Sequence, residues 1–139
     1  MNILVIDAQG GGIGRQLVAK LLERIPEADI VAAGTNSMAT NAMIKAGAKK
    51  AATGENAIKY CASQAEIITG PIGILVANAM LGEISPAIAE SVGSSTAPKV
   101  LIPTAHCNTI IAGTKALPVK DSIEDAVDRI VRLYGGEDN

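Results

Sequence analysis

Four of the five residues at positions 10–14 are glycine, in the stretch VIDAQGGGIGRQLV (residues 5–18), with Ile13 the exception. An apolar run precedes them and an amphipathic run follows. Gly10, Gly11, Gly12 and Gly14 let backbone N–H groups come close to an oxyanion, and a helix opening at Ile13 adds the positive end of its dipole. The chemistry this supports is the cradling of a phosphate. The other use of the same residues is a tight strand-to-helix turn with close helix packing. A bare turn needs one or two glycines, so four favour the phosphate of a nucleotide or dinucleotide. Asp7 complicates that reading, because its charge stands at the strand end where a phosphate would feel it. It suits bracing of the loop's own N–H groups, or a cation or ligand hydroxyl.

The spacing misses the strict dinucleotide pattern G-x-G-x-x-G, since counting from Gly10 places Arg15 at the third position. The turn is closer to that of the short-chain dehydrogenases, roughly G-x-x-x-G-I-G. Gly12, Ile13 and Gly14 match its second half, and Ala8 stands in place of the leading glycine. The chemistry of that family does not carry over. It needs a Tyr followed four residues later by Lys, whereas Tyr60 is followed at that spacing by Gln64, and Tyr134 lies at the far end of the chain. Gly34, Thr35 and Asn36 follow the second strand, where an acid would hold the ribose of NAD, and no Lys or Arg follows at once for a 2′-phosphate. The cofactor stays unknown at this point; NAD(P) or another nucleotide is compatible with the turn, with ordinary NAD use weakened.

The other polar turns carry the remaining candidates. Thr35 and Asn36 suit a sugar or a second phosphate. Thr53, Glu55 and Asn56 in TGEN would line the same pocket, as would Gly70 and Gly73 in GPIG. His106 and Cys107 are neighbours, and neighbours in an extended segment face opposite ways, which argues against a nucleophile pair. His106 alone suits packing, a ligand contact or a general acid. Cys61, beside Tyr60, reads as a core residue, and no cluster has the spacing of a metal site.

The elements that must position these turns alternate. NILVID (2–7) is a continuous apolar run, as expected of a strand covered on both faces. From Ile13 a helix places Leu17, Val18, Leu21, Leu22 and Ile25 on one face, and Pro26 ends it. Strands are expected at 28–34, 49–54, 65–70 and 98–103, with a sixth at 108–113. Helices are expected at 37–47, with Ser37 as N-cap and Gly47 as stop, and at 55–63. Another is expected at 85–93, where Ser85 caps, Pro86 opens and Gly93 stops it. The run 71–83 reads as a strand or a buried helix, with a helix from near Gly73 favoured. The last helix begins at Ser122 as N-cap, carries acids in its first turn and arginines in its last, and meets Gly135. Together these give one α/β domain, a Rossmann-like doubly wound and mostly parallel sheet of five or six strands with helices on both faces. Ligands of such sheets bind beyond the carboxyl ends of the strands, where all these turns fall.

Composition fits that picture and removes other classes. The chain has 139 residues, 48% of them hydrophobic, with two Tyr, no Phe and no Trp, so its core is aliphatic. A net charge of −2 with no basic stripe and no base-stacking aromatics excludes nucleic acid and anionic membranes as partners. Two cysteines are too few for a disulfide scaffold, and the apolar runs are too short or broken for a signal peptide or bilayer span, which predicts a cytoplasmic protein.

VIDAQGGGIG, GTNSMATNAMIKAGA, ATGENAI, GPIGILVANAMLGEISP and LIPTAHCN together resemble a small bacterial family known as a domain of unknown function. The resemblance spans nearly the whole chain and implies a Rossmann-like fold without a transferable activity or ligand. It would lead one to expect Gly where Ala8 stands. Three functions are compatible with these residues. One is binding of a small phosphorylated ligand through the glycine loop. The second is a ligand-sensing homo-oligomer without turnover, its run 72–81 buried against a partner copy. The third is a subunit completed by another protein.

Overall fold

The computed structural model describes residues 1–104 and 108–137. Strand β1 (Asn2–Asp7) runs through the middle of the molecule, and its residues Ile3, Leu4, Val5 and Ile6 are completely buried. A strand can be apolar without alternation only when both faces are covered, and both are. Ile3 and Val5 face one layer, with Leu17, Val18, Leu21, Ile123, Val127 and Ile130. Leu4 and Ile6 face the other, with Ile58, Ile68, Ile74, Ile84, Ile88 and Val92.

Helix α1 (Gly12–Arg24) follows β1 and leads through Pro26 to β2 (Asp29–Gly34). Helix α2 (Ser37–Lys45), β3 (Lys50–Thr53), α3 (Glu55–Gln64) and β4 (Ile67–Pro71) come next. A single 3-10 turn (Ile72–Leu75) and a strap of tight turns then lead to α4 (Pro86–Ser94), β5 (Lys99–Ile102) and α5 (Val119–Tyr134). The five strands form one sheet in the order β3-β2-β1-β4-β5, and every pairing is parallel. Helix α1 packs between α2 and α5 on one face, while α3 and α4 share the other.

The chain therefore winds outward from β1 to β2 and β3, then returns to β4 on the far side of β1. That reversal places the topological switch point at the carboxyl ends of β1 and β4, where doubly wound sheets bind ligands in a crevice. Among the described residues, no helix is long and apolar enough to cross a membrane.

Several local expectations are corrected. No strand forms at Asn108–Gly113; Pro103, lacking an N–H, closes β5 and the chain leaves the sheet there. Beyond Pro71, which ends β4, the run 71–83 is neither strand nor helix except for its one 3-10 turn. Ile74 and Ala79 are buried there without a long regular element, while Ala77 and Leu81 are exposed. Helix α1 starts at Gly12 rather than Ile13, and α4 runs through Gly93 to Ser94. Asn36, not Ser37, caps α2, because its Oδ1 accepts from the Ala39 amide at 2.9 Å. Helix α5 opens at Val119, a turn before Ser122, which is buried inside it.

Candidate functional site

The β1–α1 turn carries Asp7, buried to 4% exposure at the strand end. Its Oδ1 accepts from the Ala8 amide at 2.8 Å and its Oδ2 from the Gly14 amide at 2.6 Å. The side chain thus takes amides at the start of α1 that a bound anion would otherwise use. Burial pushes the Asp7 carboxyl above its usual range. The amides of Gly14, Ala8 and Ile13 pull it down, and the negative charge of Glu83 adds to the rise. Asp7 is therefore a brace of the loop, one of the uses its position suggests.

The glycines divide into two kinds. Gly11 has φ +72°, and a Cβ there would lie 2.9 Å from the Ala39 backbone, so both conformation and the approach of α2 demand glycine. A Cβ on Gly14 would lie 2.7 Å from Met43 Sδ and 2.9 Å from Asp7 Cβ. Gly10 and Gly12 differ: a Cβ at either would meet nothing within 4 Å, and neither has a positive φ. Their amides donate to no described residue, whereas the Gly11 amide closes a turn onto the Ala8 carbonyl at 3.1 Å.

The β2–α2 turn brings Thr35 and Asn36 beside this loop. The Thr35 amide donates to the Asp7 carbonyl at 3.1 Å, and Asn36 Nδ2 donates to the Gln9 carbonyl at 3.1 Å. Both side chains also meet Glu83, which the strap from β4 carries across the crevice. Glu83 Oε1 accepts from Thr35 Oγ1 at 2.7 Å, Asn36 Nδ2 at 2.9 Å and the Gln9 amide at 2.9 Å. Partial desolvation pushes the Glu83 carboxyl up, but the bonds from Thr35, Gln9 and Asn36 outweigh it and hold it below the usual range.

The other candidates stand apart from this cluster. Thr53 Oγ1 donates to Thr40 Oγ1 at 2.8 Å, and Thr40 can pass its own hydrogen to the Asn36 carbonyl at 3.1 Å, which ties the end of β3 to α2. Glu55 Oε1 accepts from Ser85 Oγ at 2.9 Å, linking the starts of α3 and α4. Asn56 is exposed, and its side chain bonds to no described residue. Gly70 is buried at φ +152°, and a Cβ there would lie 2.2 Å from the Ile6 carbonyl oxygen, so it serves the contact between β4 and β1. Gly73 lies buried in the 3-10 turn. His106 and Cys107 lie outside the described residues. Cys61 is half-buried against the core, with its thiol pushed up by burial. Among the described residues, no group of three His, Cys, Asp or Glu could hold a metal ion.

Two residues central to the cluster, Gln9 and Glu83, do not stand out in sequence reading. Glu83 had one available signal: every connection after a parallel strand delivers its residues to the same edge, and NAMLGEISP carries one acid. Beside the glycine loop, a groove of about 780 Å³ runs between α1 and α2 from Gly10 to Lys45, floored by Ala19 and Ala42. Arg15 and Lys45 border it, and neither is in an ion pair among the described residues.

Comparison with known proteins agrees with this architecture. No curated protein matches the chain. Among solved structures, a dodecameric FMN-dependent UbiX-like decarboxylase from Escherichia coli O157:H7 is similar, with 17% identity and a TM-score of 0.52 over 99% of this chain and 96% of that one. At that identity the likeness concerns the fold, and it agrees with a Rossmann-like α/β sheet. The family model described as Domain of unknown function (DUF3842) matches residues 2–135, and the chain belongs to that family.

Proposed function

We propose that the protein binds a small phosphorylated ligand of the nucleotide class at the carboxyl edge of the sheet, on the turns that follow β1 and β2. The phosphate would rest on the outward amides of Gly10 and Gly12, with Arg15 as the adjacent cation. The observation that carries this reading is the contrast among the glycines. Gly11 and Gly14 are required by packing and backbone conformation, whereas Gly10 and Gly12 have open space around them and unpartnered amides. Glycine where the fold does not ask for it suits close approach by something outside the chain. Thr35 and Asn36 would face the ligand beyond its phosphate. The solved neighbour is described as FMN-dependent, which makes flavin mononucleotide a first probe.

Thermal-shift titration with flavin mononucleotide, AMP and NADP⁺ tests the reading. One of these should stabilise the protein, and Gly10→Val and Gly12→Val should abolish that shift. Without ligand, the melting transition of both variants should stay close to wild type, within about 0.5 kcal/mol, as for surface changes that meet no neighbour. No stabilisation by any probe, or full stabilisation in both variants, would sink it.

We further propose that the chain self-associates through the segment before α5. Ile110 is 95% exposed there, with Leu117 and the first residue of α5, Val119, also exposed, apolar side chains that suit burial between copies. Native mass spectrometry should show an oligomer that Ile110→Lys dissociates; a monomeric wild type would refute it.

A further inference from the structure

The two turns at the carboxyl ends of β1 and β2 aim three donors at one point: the Gln9 amide, Thr35 Oγ1 and Asn36 Nδ2. The point is occupied by one oxygen of Glu83, at 2.9, 2.7 and 2.9 Å. Convergence of donors from separate segments on a single oxygen is how proteins seat an oxyanion. Here the oxyanion comes from the chain itself, on a strap that begins at β4 and crosses the crevice to reach β2.

We infer that the Gln9–Thr35–Asn36 triad is a seat for an oxyanion of the ligand, and that Glu83 is an internal stand-in which the ligand displaces. The inference rests on the proposed binding of a phosphorylated ligand at this edge and names what must move for it to enter. Gln9 adjoins Gly10, so a phosphate on the glycine amides comes within reach of the triad. It would also come against the Glu83 carboxylate, with Asp7 close behind. Like charges at such separations repel by more than a single hydrogen bond returns, so phosphate and Glu83 carboxylate exclude one another from the triad.

The strap holds strained backbone. Asn78, Met80 and Leu81 have φ of 67°, 58° and 58°, a left-handed region that residues with a Cβ enter at a cost. Leu81, at the tip, is 99% exposed and packs on nothing. Ala79 and Ile84 are buried on either side and Met80 packs partly against the core, so the part to be displaced is residues 81–83 with the Glu83 side chain. The hydrogen bonds of Glu83 tie that tip to the two turns it covers.

Affinities for inorganic phosphate and flavin mononucleotide, measured by calorimetry on wild type, Glu83→Ala and Thr35→Val, test the inference. Removing the stand-in should tighten phosphate binding about ten-fold, an equivalent of ~1.4 kcal/mol. Thr35→Val, which deletes a donor of the seat, should weaken it, alone and when combined with Glu83→Ala. The chain has no Trp, so Leu81→Trp supplies a single reporter whose emission should change as phosphate binds. If wild type binds and Glu83→Ala binds equally or more weakly, the stand-in is refuted while the proposed function stands. A Leu81→Trp signal that stays flat while calorimetry records binding also refutes it. If no variant binds either probe, the seat is refuted, and the proposed function falls with it when AMP and NADP⁺ also fail to stabilise the protein.

Discussion

Asp7 and Glu83 divide the amide hydrogens of one turn between them. Asp7 takes those of Ala8 and Gly14 and locks the start of α1; Glu83 takes that of Gln9 and locks the strap. Their carboxyls shift in opposite directions, which gives opposite pH dependences. Glu83 is held below its ordinary value of 4.5, so it contributes stability above that value, lost as pH falls through the depressed folded value. Asp7 lies above its ordinary value of 3.8, so its contribution is fully present below 3.8 and is lost as pH rises through the raised value. Urea midpoints between pH 3 and 6 should therefore fall less steeply on acidification in Glu83→Gln than in wild type. Parallel curves would mean that the three hydrogen bonds do not favour the charged form. The glycines give a second expectation. Gly14→Ala pushes a methyl against Met43 and Asp7 and should cost about 1–3 kcal/mol, whereas Gly12→Ala should stay within about 0.5 kcal/mol. Equal losses in urea denaturation would remove the division between structural and outward glycines. The glycine cluster and Asp7 could be read from the sequence because their chemistry is local. Glu83 reaches its partners across 74 and 48 residues of chain, a distance that no local pattern encodes.

At the scale of elements, what could be read follows from where the ordering forces lie. The amphipathic helices α1 and α4 and the buried strand β1 carry their own periodicity and stop signals, and they form nearly where expected. Caps depend on which oxygen reaches which amide, and there the spacing slips. Asn36 displaces Ser37 by a single residue, and Pro118, with φ −54°, starts α5 early enough to bury Ser122. The run 71–83 defeats periodicity because irregular turns bury its apolar residues. It was also the run expected to meet a partner copy in the sensing reading; Ile74 and Ala79 are buried in the chain's own core, with Leu75, Val76 and Met80 packed partly against it, while Ala77, Asn78 and Leu81 are exposed. Ser85 shows a cap doing two jobs. Its Oγ accepts from the Ile88 amide at 3.2 Å while donating to Glu55. Ser85→Ala should cost ~1 kcal/mol in thermal or urea unfolding, mostly from the lost cap, because the link to exposed Glu55 is worth little. Glu55→Gln should be nearly silent in the same assay; a larger loss there would reverse the ranking.

The whole molecule is a sheet shared by two aliphatic layers, and both depend on β1. Leu17 belongs to one layer and Ile88 to the other. Leu17→Ala and Ile88→Ala should each cost about 2–5 kcal/mol and should each move one cooperative transition, whether followed by circular dichroism or by fluorescence of Leu81→Trp. Two separated transitions would mean that the layers unfold independently. Alternation of strands and helices was enough to predict a doubly wound sheet. Its five strands, and the return of the chain to the far side of β1, depend on long-range pairings that periodicity cannot supply.

That central place of β1 has a consequence during synthesis. Strand β1 leaves the ribosome before the other four strands of its sheet, and it is the one that must be enclosed on both sides. Its β2 edge can be paired early, but its other edge waits for Ile67–Pro71, which emerge only after β3 and α3. Until then the nascent chain displays an unpaired edge of four fully buried-type aliphatic residues, the kind of surface that recruits chaperones or a neighbouring nascent chain. Pairing of β4 with β5 must wait longer still, so the junction of β1 with β4 closes after β2 and β3 have emerged and before the sheet is complete.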